Sequence, residues 1–255
     1  MPQQKYNKLA GKHVLVIGGT SGIGFAVTEA AIESNARVTI SSSSSSRIEA
    51  SLASLKKSYP DATVAGYPCD LSKPTVEADL EALFKQVGKV DHIVVTAGDK
   101  LAVAPLQEAT YESIITTGQV RFIAPILIAK VGSKYLNKGP ESSIVFTTGS
   151  VSQRPIPNWS VVGSYAAGLH GLTRGLALDL KPIRVNLVSP GAVDTELWKD
   201  FSEEQKRGFF KEIEGKVPTG RVAKPEEVAE CYLWLMKDSN ATGVIADSNS
   251  GALLV

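Results

Sequence analysis

The stretch VLVIGGTSGIG, residues 14–24, decides how the rest of the chain is read. Four apolar residues of strand character run directly into glycines at 18, 22 and 24. The following IGFAVTEAAIESN (23–35) resumes with helical spacing. Glycine is needed where a backbone must turn tightly and approach a ligand closely. A helix that starts there offers unpaired N–H groups and a partial positive charge to a phosphate. A glycine cluster alone is weak evidence, but a strand before it and a helix after it make it a phosphate-cradling turn. Gly18, Thr20, Ser21, Gly22, Ile23 and Gly24 are its candidate contacts.

Outward from this turn, strand-length and helix-length apolar runs alternate. Strands are expected at 13–17, 37–41, 62–68, 92–96, 142–148, 183–189 and 243–247. Helices are expected at 23–35, 47–59, 75–87, near 111–136, near 161–180 and at 225–236. Such alternation predicts a parallel sheet with right-handed crossovers and helices on both faces. The expected architecture is an α/β doubly wound (Rossmann) sheet forming a single domain over 1–255.

The 255 residues are 43% hydrophobic and 21% charged, with a net charge of +1. That length buries a proper core. The balanced and scattered charge argues against nucleic acid or an anionic membrane as partner. Cys69 and Cys231 make neither a metal spacing nor a disulfide framework, and His13, His92 and His170 lie far apart; no metal is expected. The N-terminus lacks the apolar core of a signal peptide, and the longest apolar runs are strand-length or interrupted. A soluble, cytoplasmic protein is the expectation.

The spacing G-x-x-x-G-x-G resembles that of the short-chain dehydrogenase/reductase family, and further motifs extend the resemblance along the chain. CDLS (69–72) is similar to the family's adenine-contacting segment, implying Asp70 and Leu71. TAGD (96–99) resembles the Asn-Asn-Ala-Gly motif with its Asn positions replaced, implying Ala97 and Gly98. RVNLVSPGAVDT (184–195) resembles the segment beside the nicotinamide, implying Pro190, Gly191, Val193 and Thr195. VPTGRVAKPEEVAE (217–230) resembles the stretch after the substrate lid. The resemblance implies a homodimer or homotetramer with the helices near 111–136 and 161–180 at its interface.

Cofactor selectivity is set at the end of the second strand, where an acid binds the ribose hydroxyls of NAD. Here Ser42 holds that position, and no acid follows before Glu49. Ser42 and Ser43 can donate to a 2′-phosphate, and Arg47 adds charge suited to one. NADP(H) is therefore the expected cofactor. The run SSSSSS (41–46) exceeds what one phosphate needs.

The resemblance also implies a tetrad of Asn, Ser, Tyr and Lys. The helix register, set by LTRGLALDL (172–180), puts Val162 at the Tyr position and Ala166 at the Lys position. Tyr165 lies three residues on, rotated by about 300° and so pointing about 60° away from a phenol at 162. The Ser position falls on Gly149, or on Ser150 after a one-residue slip, with Thr148 adjacent. The Asn position falls on Arg121. Arginine is no general acid, because its pKa stays above about 12, but it can position a carbonyl or hold an anion.

Trp159, in RPIPNWSVV (154–162), is placed near the substrate mouth, where an aromatic suits a flat or apolar substrate. Residues 195–218 are the expected lid. They carry Trp198, Phe201, Phe209 and Phe210, one of the last two facing the pocket and the other packing the lid. A bulky apolar substrate follows. Arg121 with PIPNW (155–159) resembles a subset of the family that helps build bridged indole alkaloids in fungi, reducing an iminium with NADPH and directing a Diels–Alder cyclisation. The sequence departs at Ile156, where that subset implies an acid. Three readings stand: an NADP(H)-dependent reductase of C=N or activated C=C, a non-redox cyclase or isomerase, and an NADP(H) sensor. Arg121 and Trp159 are the candidate catalytic residues.

Overall fold

A computed structural model describes residues 5–255. Seven strands form one parallel sheet: β1 (His13–Ile17), β2 (Arg37–Ser42), β3 (Val64–Pro68), β4 (His92–Val95), β5 (Ser143–Thr147), β6 (Arg184–Pro190) and β7 (Ile245–Ser248), in the order β3-β2-β1-β4-β5-β6-β7. The helices are α1 (Gly22–Glu33), α2 (Ser45–Ser58), α3 (Val76–Val87), α4 (Tyr111–Gly118), α5 (Ala124–Gly132), α6 (Ser160–Asp179), α7 (Glu203–Glu214) and α8 (Pro225–Lys237).

Side chains alternate across each strand, so one strand feeds two cores. Val14 and Val16 of β1 pack with α1 and α8 on one face. Leu15 and Ile17 pack with α3, α5 and α6 on the other. This two-sided burial is why β1 reads as an unbroken apolar run. Strand order reverses between β1 and β4, and ligand crevices form beyond the strand ends at such a switch point.

Three expectations are corrected. The third strand starts at Val64 rather than 62 and is a half-exposed edge ending on Pro68, which has no ladder N–H to give. The last strand is displaced to Ile245–Ser248. The helical run near 111–136 stops at Gly132 and is not uniform, because Gln119–Ile123 is a π-turn in which the Ala124 N–H donates to the Gln119 carbonyl. Pro125 explains the turn: its ring clashes with the carbonyl four residues back, on Arg121, and it lacks the N–H that would pair there. The run Tyr111–Gly132 also has the length and apolarity of a membrane span, with a mean hydropathy of 1.4. It nevertheless buries Ile128, Ala129 and Val131 against α3 and the sheet, as a core helix does.

Candidate functional site

The glycine turn and the end of β4 meet with no space between them. Gly18 has φ +96°, and a Cβ on it would lie 2.4 Å from the Ala97 nitrogen. A Cβ on Gly24 would lie 2.1 Å from the Gly18 carbonyl oxygen. The Gly18 N–H donates to the Ser41 carbonyl (2.8 Å) and the Ala97 N–H to the Ile17 carbonyl (3.0 Å), tying β1, β2 and β4 together at their C-terminal ends. At the start of α1, Ser21 makes no side-chain cap and the first turn holds no acid, so its N–H groups are left for an anion. The nearest carboxylate is Glu196, whose Oε2 lies 3.4 Å from where a Cβ on Gly22 would stand; Thr195 Cγ2 lies 3.0 Å from that point.

The serine run divides among several tasks. Ser41 and Ser42 are buried at the end of β2, and the Ser42 carbonyl accepts from the Cys69 N–H. Ser44 caps α2, accepting from the Arg47 N–H, and Ser45 and Ser46 form the first helical turn. Exposed Ser43 accepts from Arg47 Nη2 at 2.9 Å. Asp70 accepts from both the N–H and hydroxyl of Ser72, which hold its carboxyl below the ordinary range. Leu71 is buried, and its carbonyl accepts from Gln119 Nε2. Burial pushes the free Cys69 thiol up to about 11, so it is an inert core residue.

Arg121 projects from the π-turn onto Gly98, where an added Cβ would lie 3.2 Å from Nη1. Its Nε stands 2.8 Å from Asp99 Oδ1, an ion pair, and Nη2 donates to the Asp99 carbonyl. Burial pulls the guanidinium below its ordinary value while Asp99 opposes the shift. Asp99 was in view in the motif TAGD, yet nothing in the sequence marked it as Arg121's partner. The pairing requires the β4 end and the π-turn to meet in space.

On α6, Val162 is 3% exposed and Ala166 is half-buried, its carbonyl accepting from Thr148 Oγ1 at 2.8 Å. Gly149 has open space beside it: an added Cβ meets nothing closer than 3.8 Å. Half-buried Trp159 stands at the N-cap of α6, and among the described residues no ring contact joins it to the 195–218 segment. Ile156 is 46% exposed.

The 195–218 segment contains α7, started by a reciprocal cap between Ser202 and Gln205. Phe209 and Phe210 do not divide as expected. Phe209 packs 4.8 Å from Trp198, and Phe210 meets Trp198 edge-on at 6.3 Å, so both rings gather on one tryptophan. The Trp198 indole N–H donates to the Val193 carbonyl at 2.8 Å, anchoring that cluster to the segment after β6. A cavity of about 490 Å³ opens between α1 and this segment, with Phe25, Glu29, Trp198 and Phe201 in its wall. Arg121 and Trp159 lie outside it. Pro190 is buried, Gly191 would press an added Cβ to 2.9 Å from Asn249, and Val193 is buried.

A family model described as an SDR-like Rossmann domain matches residues 5–255. The chain belongs to the short-chain dehydrogenase/reductase family. It is 44% identical over 259 residues to the short-chain dehydrogenase/reductase fsr5 of Gibberella fujikuroi, covering 97% of each chain. It is 44% identical over 254 residues to the short-chain dehydrogenase/reductase malC of Malbranchea aurantiaca, covering 96% of each. The solved structure of that MalC reductase/Diels-Alderase superposes with a TM-score of 0.94 at 42% identity, over 99% of this chain and 100% of the other. An NADPH-bound short chain oxidoreductase from Pseudomonas aeruginosa, described as containing an atypical catalytic center, matches with a TM-score of 0.86 at 25% identity, over 94% and 96%. The family's Rossmann-type parallel sheet is thus the one described above.

Proposed function

We propose that this family member is an NADP(H)-dependent enzyme of secondary metabolism that acts on a bulky apolar small molecule. It reduces C=N or activated C=C, directs a cyclisation, or does both. The observation that carries this reading is the Arg121–Asp99 pair on Gly98, beside an α6 whose Val162 and Ala166 offer no exchangeable side-chain proton. A ketone needs a proton donor as hydride arrives. An iminium takes hydride to a neutral amine with no proton, and a conjugated acceptor gives an enolate that water then protonates, so orientation and electrostatics suffice for hydride transfer.

The residues fit the cofactor. The N-terminus of α1 carries no side-chain cap and no acid in its first turn, Gly18 and Gly24 keep side chains out of the turn, and Ser43 with Arg47 would meet the 2′-phosphate. NADPH, once bound, supplies hydride. The chain's part is to hold it with Gly18–Gly24, Asp70, Leu71, Ala97, Gly98, Pro190, Gly191, Val193 and Thr195. Arg121 then presents its remaining N–H groups to a carbonyl or other acceptor, and Trp159 shapes the mouth. The match to a protein described as a reductase/Diels-Alderase favours the cyclase as the second reading. Two copies would meet through α4–α5 and α6, where Tyr111, Ile115 and Leu178 are exposed. An NADP(H) sensor is the third reading.

The test supplies NADPH, NADP+ or no cofactor to the pure protein with a panel of bulky cyclic iminium salts, enones and ketones. NADPH oxidation with the iminium salts or enones and not with the ketones is the expected result. Product without net redox change would establish the cyclase. Cofactor binding with no turnover would favour the sensor. Arg121→Ala should lower turnover about 100-fold, the size of losing one preorganised donor, with NADPH affinity nearly unchanged. Wild-type turnover in that variant sinks the role of Arg121.

A further inference from the structure

The π-turn that carries Arg121 is locked onto α6 from both ends. Gly118, the last residue of α4, faces the ring of Tyr165: an added Cβ would lie 2.4 Å from Cζ and 2.8 Å from the hydroxyl oxygen. Gly168 faces Phe122 of the π-turn, with an added Cβ 2.8 Å from Cε2. The two rings lean together, centroids 5.6 Å apart at 41°. Tyr165 thus reaches from α6 to the end of α4, and Phe122 reaches back from the turn to α6. Arg121 sits between these two contacts in sequence. Pro125 fixes where the π-turn falls, and the two ring contacts fix where it lies on α6.

We propose that Tyr165 and Gly118 form a clamp that sets the position of the Arg121 guanidinium, making Tyr165 a positioning residue and not a proton donor. The proposal rests on Arg121 being the working side chain of the site. Two observations favour a ring over a phenol. The ring carbons Cζ and Cε1 lie nearer than the hydroxyl to where a Cβ on Gly118 would stand, and the hydroxyl makes no hydrogen bond among the described residues. Close packing then transmits the ring's position to the turn, because neither glycine leaves room for slack.

The experiment reads Arg121 directly, without a substrate. Phenylglyoxal modifies arginines, and peptide mass spectrometry gives the rate at each one. In the wild type Arg121, held by Asp99 against Gly98, should react slowly, and exposed Arg47 and Arg154 should react fast. Arg184, 3% exposed and donating to the carbonyls of Met236 and Ala241, reports global unfolding. Gly118→Ala should raise the Arg121 rate about tenfold, and Tyr165→Leu in the same protein should restore most of it, as expected of residues in direct contact. Tyr165→Phe should leave both the Arg121 rate and the pH profile of turnover as in the wild type. Arg184 should stay slow throughout.

The clamp is overturned if Gly118→Ala leaves Arg121 slow, if Arg184 quickens together with it, or if the second substitution restores nothing. A turnover loss of about 100-fold in Tyr165→Phe, the size of a lost general acid, would instead make the phenol the proton donor and overturn it too. If Arg121→Ala keeps full turnover while the Gly118→Ala rate stands, the reading of Arg121 fails and the clamp survives.

Discussion

The two halves of the sheet's C-terminal edge are built on opposite principles. Around β1, β2 and β4 the geometry rests on atoms that are absent: Gly18 and Gly24 let backbone touch backbone, and no side chain can replace them without moving the turn. Around α4, α5 and α6 glycines matter as well, but they serve as sockets for rings. Gly118 receives Tyr165 and Gly168 receives Phe122. In the first half the contact lies within a few residues of the motif or across one strand pair. In the second it joins residues 46 or 47 positions apart. The comparison teaches that a glycine signature is legible when its neighbour is the backbone, and illegible when its neighbour is a ring from elsewhere.

Breaking the first half should have the larger effect. Gly18→Ala puts an L-residue at φ +96° and drives its Cβ to 2.4 Å from the Ala97 nitrogen. Overpacking and backbone strain together should cost about 3 kcal/mol, lowering the Tm by about 6 °C or more for a chain of this size. Thermal melts with and without NADPH check it, and the NADPH-induced rise expected of the wild type should vanish. A glycine turn serving only as packing would lose stability and keep that rise.

Arg47→Ala sharpens the comparison at its polar edge. Among the described residues Arg47 hydrogen-bonds only Ser43 and Ser44 of the α2 cap, so stability should hold. NADPH should bind about tenfold more weakly, the loss of one charge-assisted contact, while NADH binding should not change. Titration of both cofactors by nicotinamide fluorescence decides this, and equal losses for the two would remove the 2′-phosphate site from Ser43 and Arg47.

The smallest effect belongs to neither half. Glu227 accepts from Arg221 and from the Lys224 N–H at the start of α8, and these hold its carboxyl down to about 2. A depressed folded-state pKa means stability that is present above the unfolded value of about 4.3 and lost as pH falls through the folded one. Glu227→Gln should therefore lower the Tm slightly at pH 7 and by much less near pH 2. A difference that persists at low pH would show that the contact is steric.

Much of the fold was legible because its cues are local. Val14–Ile17 is apolar throughout since both faces of β1 are covered, and the strand–helix alternation follows from the same burial. Within the candidate site, the glycine turn could be named from spacing, and Ala97–Gly98 and Arg121 from the family resemblance. The π-turn could have been found: Pro125 lies four residues after Arg121, and that spacing denies Arg121's carbonyl its ordinary partner. Asp99 and Gly118 could not, because their partners come from distant segments. The aromatics of 195–218 were misdirected, since spacing says that Phe209 and Phe210 diverge and not that Trp198 is wide enough to meet both.

By itself, then, the sequence determined the parallel doubly wound sheet and the glycine turn between β1 and α1. Periodicity and glycine sterics act over a few residues, and no tertiary contact is needed to read them. Only the tertiary structure decided what Tyr165 is. A helix wheel places it about 60° from a phenol at 162. The close approach of α4 and α6 put a glycine in front of its ring, and turned the sequence's most suggestive tyrosine toward the backbone of another helix.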